Sequence, residues 1–153
     1  MLKQAVAATF AGMLLAAAPA GAADSRDNMV TDIDAVVRVH PIEPLKPGQK
    51  ENAAIVASFS VGDRDLGVLV MSQNRLHHHD KQNHVLYLAR GHGTARLENA
   101  QGAIETRSIK PGDILVLPRG KRHGFAKTGD EDLVFLVLAG PGPQAGDDTT
   151  FHD

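Results

Sequence analysis

Short apolar runs divided by glycine and proline turns narrow most sharply what this chain can fold into. The runs Ala53–Ser60, Leu66–Ser72, Val85–Ala89, Thr94–Glu98, Ala103–Ile109, Asp113–Leu117 and Leu133–Leu138 each read as a strand. Between them fall Gly62 to Asp65, Gly91 to Gly93, Asn99 to Gly102 and the pair Pro111-Gly112, all with turn-forming chemistry. An earlier run, Ala35–Val39, has the β-branched content of a further strand, and the three prolines between His40 and Gly48 then forbid regular pairing. Short strands with no helical period among them predict an all-β sandwich or barrel. No internal repeat of fixed period is visible.

The first 23 residues do not belong to that core. Lys3, the apolar stretch Ala5 to Ala18 and the small residues Gly21-Ala-Ala23 before Asp24 have the layout of a secretory signal peptide, with cleavage expected after Ala23 and Ala20 and Ala22 also suitable. The apolar stretch is short of the ~20 residues that span a bilayer, although an uncleaved anchor is the competing reading. Residues 24–34 read as a polar linker and 35–139 as one folded domain. The tail 140–153, rich in Gly, Pro and Asp, is expected to be disordered. A periplasmic or secreted protein is therefore expected, with no membrane association after cleavage. Loss of Lys3 takes the formal charge from −2 to −3, which gives no electrostatic reason to bind nucleic acid. There is no cysteine, so disulfides, thiolate ligands and cysteine nucleophiles are excluded.

Against this β pattern one stretch carries chemistry. Arg75 to His84 holds four histidines, and side chains two apart on an extended chain share a face, so His77 and His79 can grip one ion. A turn between Asp80 and Asn83 would return His84 to the same point, and His123, after the strand ending at Leu117 and a Pro-x-Gly turn, is the fourth candidate. Nitrogen donors of this kind suit one divalent transition metal (Fe, Mn, Ni, Cu or Zn) better than Mg or Ca. The remaining histidines read as outsiders. His78 points the other way and reads as solvated, His92 reads as a turn residue, and His40 and His152 have no role.

From Leu66 to Ala139 the chain resembles the cupin superfamily. His77-His78-His79 matches the H-x-H of its first motif, and after four spacers His84 stands where that motif has Glu, with Gly91 seven residues on. Gly112, Pro118-Arg-Gly120 and His123 match the second motif in full. Met71 and Lys127 depart from a glycine and an asparagine of the pattern. The resemblance implies a double-stranded β-helix, or jelly-roll barrel, with a metal inside held by His77, His79, His84 and His123. Exchange of Glu for His84 replaces an anionic oxygen by a neutral nitrogen and leaves a divalent ion at about +2 rather than about +1.

The activity the resemblance implies first is that of a dioxygenase-like oxidoreductase acting on a small oxygenated organic molecule. A metal-dependent lyase or isomerase, a non-catalytic metal or small-molecule binding protein of the periplasm, and a metal-free scaffold are the alternatives. Arg119, with Lys121 and Arg122, offers a cationic lip for an anionic substrate, against the plainer reading of an ordinary charged loop. Phe125 shares parity with His123 and should line the cavity or pack, and Gln73 could reach the pocket from the preceding strand. Strands such as Val85–Ala89, apolar on both faces, need cover on both, from a second sheet or another subunit, and so raise a homodimer as an expectation.

Overall fold

The computed structural model describes residues 32–39, 42–49, 51–61, 64–140 and 148–152. Among these described residues a single short helix, α1 (Ile33–Val39), precedes ten strands. These are β1 (Asn52–Val61), β2 (Arg64–Gln73), β3 (His77–His79), β4 (Asn83–Arg90), β5 (Gly93–Glu98), β6 (Ile104–Ile109), β7 (Ile114–Leu117), β8 (His123–Lys127), β9 (Leu133–Gly140) and β10 (Thr149–Phe151). They form one curled antiparallel sheet in the order β10-β3-β8-β2-β9-β4-β7, with β1 added to β2 and β5 joining β6 to β8. The result is the expected all-β jelly roll.

Period-two alternation decides which side chains fill the curl. On β4, Leu86 and Leu88 are buried while Val85 and Tyr87 face out. The register of β9 against β4 and β2 sets Leu133, Phe135 and Val137 on the same inner face, where they meet Met71, Leu115, Leu117 and Phe125. Each such side chain contributes about 1.5–3 kcal/mol by leaving water. This core lies directly beneath the histidines of β3, β4 and β8.

Two segments differ from their sequence reading. Residues 35–39 are not a strand but the body of α1, which also takes in Ile33 and Asp34 from the expected linker. Asp32 caps it, its Oδ1 accepting from the amides of Asp34 (3.0 Å) and Ala35 (3.2 Å). Ile33 and Val37, one turn apart, then cover Val68, Val70 and Val134 on the outer face of the sheet. Arg90 pins the helix by donating to Asp34 Oδ1 at 2.9 Å. Partial cover of Ile33 and Val37, with the Asp32 cap and the Arg90 tie, thus outweighs the β preference of the valines.

The second correction concerns the tail. Its last part is ordered as β10, pairing antiparallel to β3 with Thr149 opposite His79, Thr150 opposite His78 and Phe151 opposite His77. Residues 141–147 lie outside the described residues, as do the expected signal peptide and residues 24–31. No helix among the described residues is long and apolar enough to cross a membrane.

Cover on the outer face is partial. While α1 shields β2 and β9, a row formed by Val85, Tyr87, Ile114, Val116 and Leu138 stays open, with Ile114 and Val116 67% and 66% exposed.

Gly91 shows where the first motif's glycine is needed. Its φ is +79°, and an added Cβ would collide with the carbonyl oxygen of Asp132. Gly91→Ala therefore combines left-handed strain with overpacking, and a loss of about 2–4 kcal/mol is expected in urea unfolding. A loss below about 0.5 kcal/mol, the size of an ordinary surface change, would contradict this account.

Candidate metal centre

β3 and β8 are adjacent in the sheet, with His77 directly opposite His123, 46 residues further along the sequence (123 − 77). Their ring centroids stand 4.4 Å apart, and His79 lies 5.1 Å from His77 and 5.5 Å from His123. One ligand atom from each of these three residues falls within 4.8 Å of the others. His84, at the start of β4, packs on the edge of this trio with its ring 4.2 Å from that of His79, and its Nε2 is 3.3 Å from Gln82 Oε1. The structure thus brings all four sequence-predicted histidines to one end of the curl, three of them as a compact group.

The rings are oriented as well as close. His77 Nδ1 lies 2.8 Å from the Arg75 carbonyl oxygen and His123 Nδ1 lies 2.9 Å from that of Lys121. His79 Nδ1 lies 3.1 Å from Asp148 Oδ1. Since carbonyl and carboxylate oxygens only accept, each Nδ1 carries the proton, and Nε2 is the atom each ring can offer to an ion. Three imidazoles held this way fit a divalent transition metal.

Electrostatics favour the neutral form of His84 and His123. Burial, reinforced by the neighbouring His79 and His77 and opposed by Asp148, lowers the His84 pKa to about 4. Burial and His77 lower that of His123 to about 3, against the bond from its ring to the Lys121 carbonyl. Burial alone would raise the Asp148 carboxyl, but the Lys81 amide and His79 outweigh it and hold it below its ordinary range. Asp148 Oδ2 accepts from the Lys81 amide at 2.9 Å.

The other expected site residues divide. Phe125 is buried with its ring 6.0 Å from His123 and 5.3 Å from Phe135, so it floors the site and packs the core at once. Arg119 is exposed at the rim, its amide donating to Asn83 Oδ1, while the next residue, Gly120, donates to the His79 carbonyl. Lys121 and Arg122 do not form a lip with it, because both are drawn to Glu98, with Arg122 Nε 2.8 Å and Lys121 Nζ 3.4 Å from its carboxylate. These contacts hold the Glu98 pKa at about 2. Gln73 ends β2 opposite Ala126 of β8.

His92 is exposed in its turn, as expected. His78 is not solvated: its Nδ1 lies 2.7 Å from His152 Nε2 and its Nε2 3.0 Å from Asp80 Oδ1. The residue that sequence reasoning missed is Asp148. The only local signal was an acidic pair, Asp147-Asp148, in a tail with no strand pattern.

A curled all-β sheet with imidazoles converging at one end of its core defines a jelly-roll protein with a candidate metal site. Residues 71–139 match the family described as "Cupin domain", and the fold around them is the cupin jelly roll. It is 29% identical over 83 residues to acireductone dioxygenase of Bacillus thuringiensis (strain Al Hakam), covering 54% of this chain and 48% of that protein. The chain thus matches about half the length of its curated relatives. A Klebsiella pneumoniae protein with a double-stranded β-helix domain superposes with a TM-score of 0.58 at 18% identity, covering 83% of this chain and 99% of that one. Oxalate decarboxylase of Lactobacillus farciminis gives 0.54 at 19% identity, covering 75% of this chain and 34% of that one. At such identities these two solved structures speak for the fold.

The lowered pKa values set a pH dependence for the metal-free protein. Unfolded histidines take up protons near pH 6.5, whereas His84 and His123 resist until about 4 and about 3. Between these limits the unfolded chain binds more protons, so stability rises with pH and falls on acidification. The urea midpoint of metal-free protein should drop between about pH 7 and about pH 5, above the range where carboxylates titrate, and drop less in His84→Ala. Equal midpoints at the two pH values would contradict the assignment.

Proposed function

We propose that this protein is an exported metal-binding cupin that acts as a dioxygenase-like oxidoreductase on a small oxygenated organic molecule. The observation that carries the metal reading is the trio His77, His79 and His123, with their Nδ1 atoms engaged and ligand atoms within 4.8 Å of one another. His84 is the fourth ligand in this reading, and its Nε2 must turn from Gln82 to join. The site takes one divalent transition metal, Fe, Mn, Ni, Cu or Zn. When bound, such an ion supplies Lewis acidity that lowers the pKa of an enol or hydroxyl group placed beside it.

The chain's own residues do the rest. The neutral rings of His84 and His123 avoid competition from protons, Phe125 and the core beneath it keep water from one side, and Arg119 at the rim offers a cation to an anionic substrate. The sequence similarity to acireductone dioxygenase supports oxidative chemistry over lyase or isomerase chemistry. The apolar start of the chain supports export to the periplasm or beyond. The open row Val85, Tyr87, Ile114 and Val116 supports a homodimer through this face, which sedimentation velocity of the wild type and a Val116→Lys variant would test.

Protein prepared without a histidine tag should carry about one equivalent of metal, and His77→Ala or His123→Ala should weaken binding by more than the roughly 10–100-fold typical of losing an outer partner. His84→Ala should weaken it less than either. Loaded in turn with each metal, the wild type should consume oxygen with diketones, flavonols or catechol-like compounds. Tight binding with no turnover of any of these would replace the enzyme by a binding protein, and no retained metal would remove the centre.

A further inference from the structure

We propose that the C-terminal strand is a working part of the metal site, delivering Asp148 as the positioning residue for His79, so that strand docking and ion uptake are thermodynamically linked. The proposal rests on the metal-binding reading above.

The three rings of the trio are not oriented in the same way. His77 and His123 each bond a carbonyl oxygen two residues back on their own chain segment. For His79 the partner is Asp148, 69 residues downstream, assisted by Thr149 Oγ1 at 3.3 Å. A carboxylate on Nδ1 fixes the tautomer and makes Nε2 a stronger donor than a carbonyl partner would. It also returns one negative charge to a centre in which His84 occupies the place of the family's Glu.

Asp148 reaches this position because residues 149–152 are docked. β10 pairs with β3 along its length, and the His152 amide donates to the Leu76 carbonyl at 2.8 Å. The Arg75 guanidinium lies 3.9 Å over the Phe151 ring, a cation–π contact, and His78 meets His152 on the outer side. The element that receives β10 is therefore the one that carries His77 and His79. A strand that orients a ligand must in turn be held more tightly when the ligand is engaged, by the same factor.

Zinc and cobalt(II) affinities of the full chain, measured by competition with a chromophoric chelator, test this alongside Asp148→Asn, Asp148→Ala and a chain ended after Gly140. The expected result is about 10–100-fold weaker binding in Asp148→Ala and in the shortened chain. Asp148→Asn, which keeps an acceptor oxygen but loses the charge, should fall between and shift the visible cobalt spectrum. In the wild type, saturating zinc should slow hydrogen exchange of the amides of residues 149–152 by a like factor, and this slowing should vanish in Asp148→Ala. If the wild type binds and all four chains bind alike, or if zinc leaves exchange at β10 unchanged, the inference is overturned while the metal reading stands. A wild type that takes up no ion overturns both.

Discussion

The register that sets His77 opposite His123 is the constraint on which the centre depends. A slip of one residue in either strand would turn one ring outward and leave no pair to extend. That register is fixed away from the histidines themselves. Asn74 clamps β8 from the end of β2, its amide donating to the Phe125 carbonyl at 3.0 Å and its Oδ1 accepting from the Phe125 amide at 2.7 Å. Glu98 holds the other end of the approach through Arg122, whose guanidinium also reaches the Gly102 carbonyl at 2.8 Å. Gly120, in the left-handed region at φ +75°, lets the Pro-x-Gly turn bring its amide 2.7 Å from the His79 carbonyl. Charges that look like a substrate lip along the sequence are, in Lys121 and Arg122, braces for His123.

How much of this could be read in advance follows from the range of the interactions. Alternation within β4 and the spacing of His77 and His79 are properties of a few adjacent residues, so strand type, facing and three of the four histidines were legible from parity and turns. Two family motifs extended that to His123, which no local pattern joins to β3. The helix α1 was misread because its valines favour strands and its decisive contacts, Ile33 and Val37 on Val68 and Val134, lie far off in sequence. β10 was missed for the same reason in stronger form. Nothing in Thr149-Thr-Phe151 marks a strand apart from the partner that receives it, and composition alone predicts disorder there.

The outer shell also changes how the His84 substitution should be understood. Read along the sequence, replacing Glu by His84 removes the only anion from the motif. In the folded chain a carboxylate is still present, on the far side of His79 and held ionised by the Lys81 amide and the imidazole itself. The charge has moved out by one ring. It still attracts a cation through a site of low dielectric, and it costs little to keep because its oxygens are satisfied.

This displacement matters for what the centre could do. A carboxylate that binds an ion directly neutralises part of its charge and occupies a coordination position, and both effects weaken the pull on a substrate oxygen. A carboxylate behind a histidine strengthens the grip on the ion without taking a coordination position, so in the metal-bound reading the ion keeps more of its charge at the open face than direct carboxylate ligation would leave. On the proposed reading, the exchange of Glu for His84 and the docking of Asp148 form one arrangement, in which affinity would come from the carboxylate behind His79 and the inner nitrogens would leave the ion its Lewis acidity.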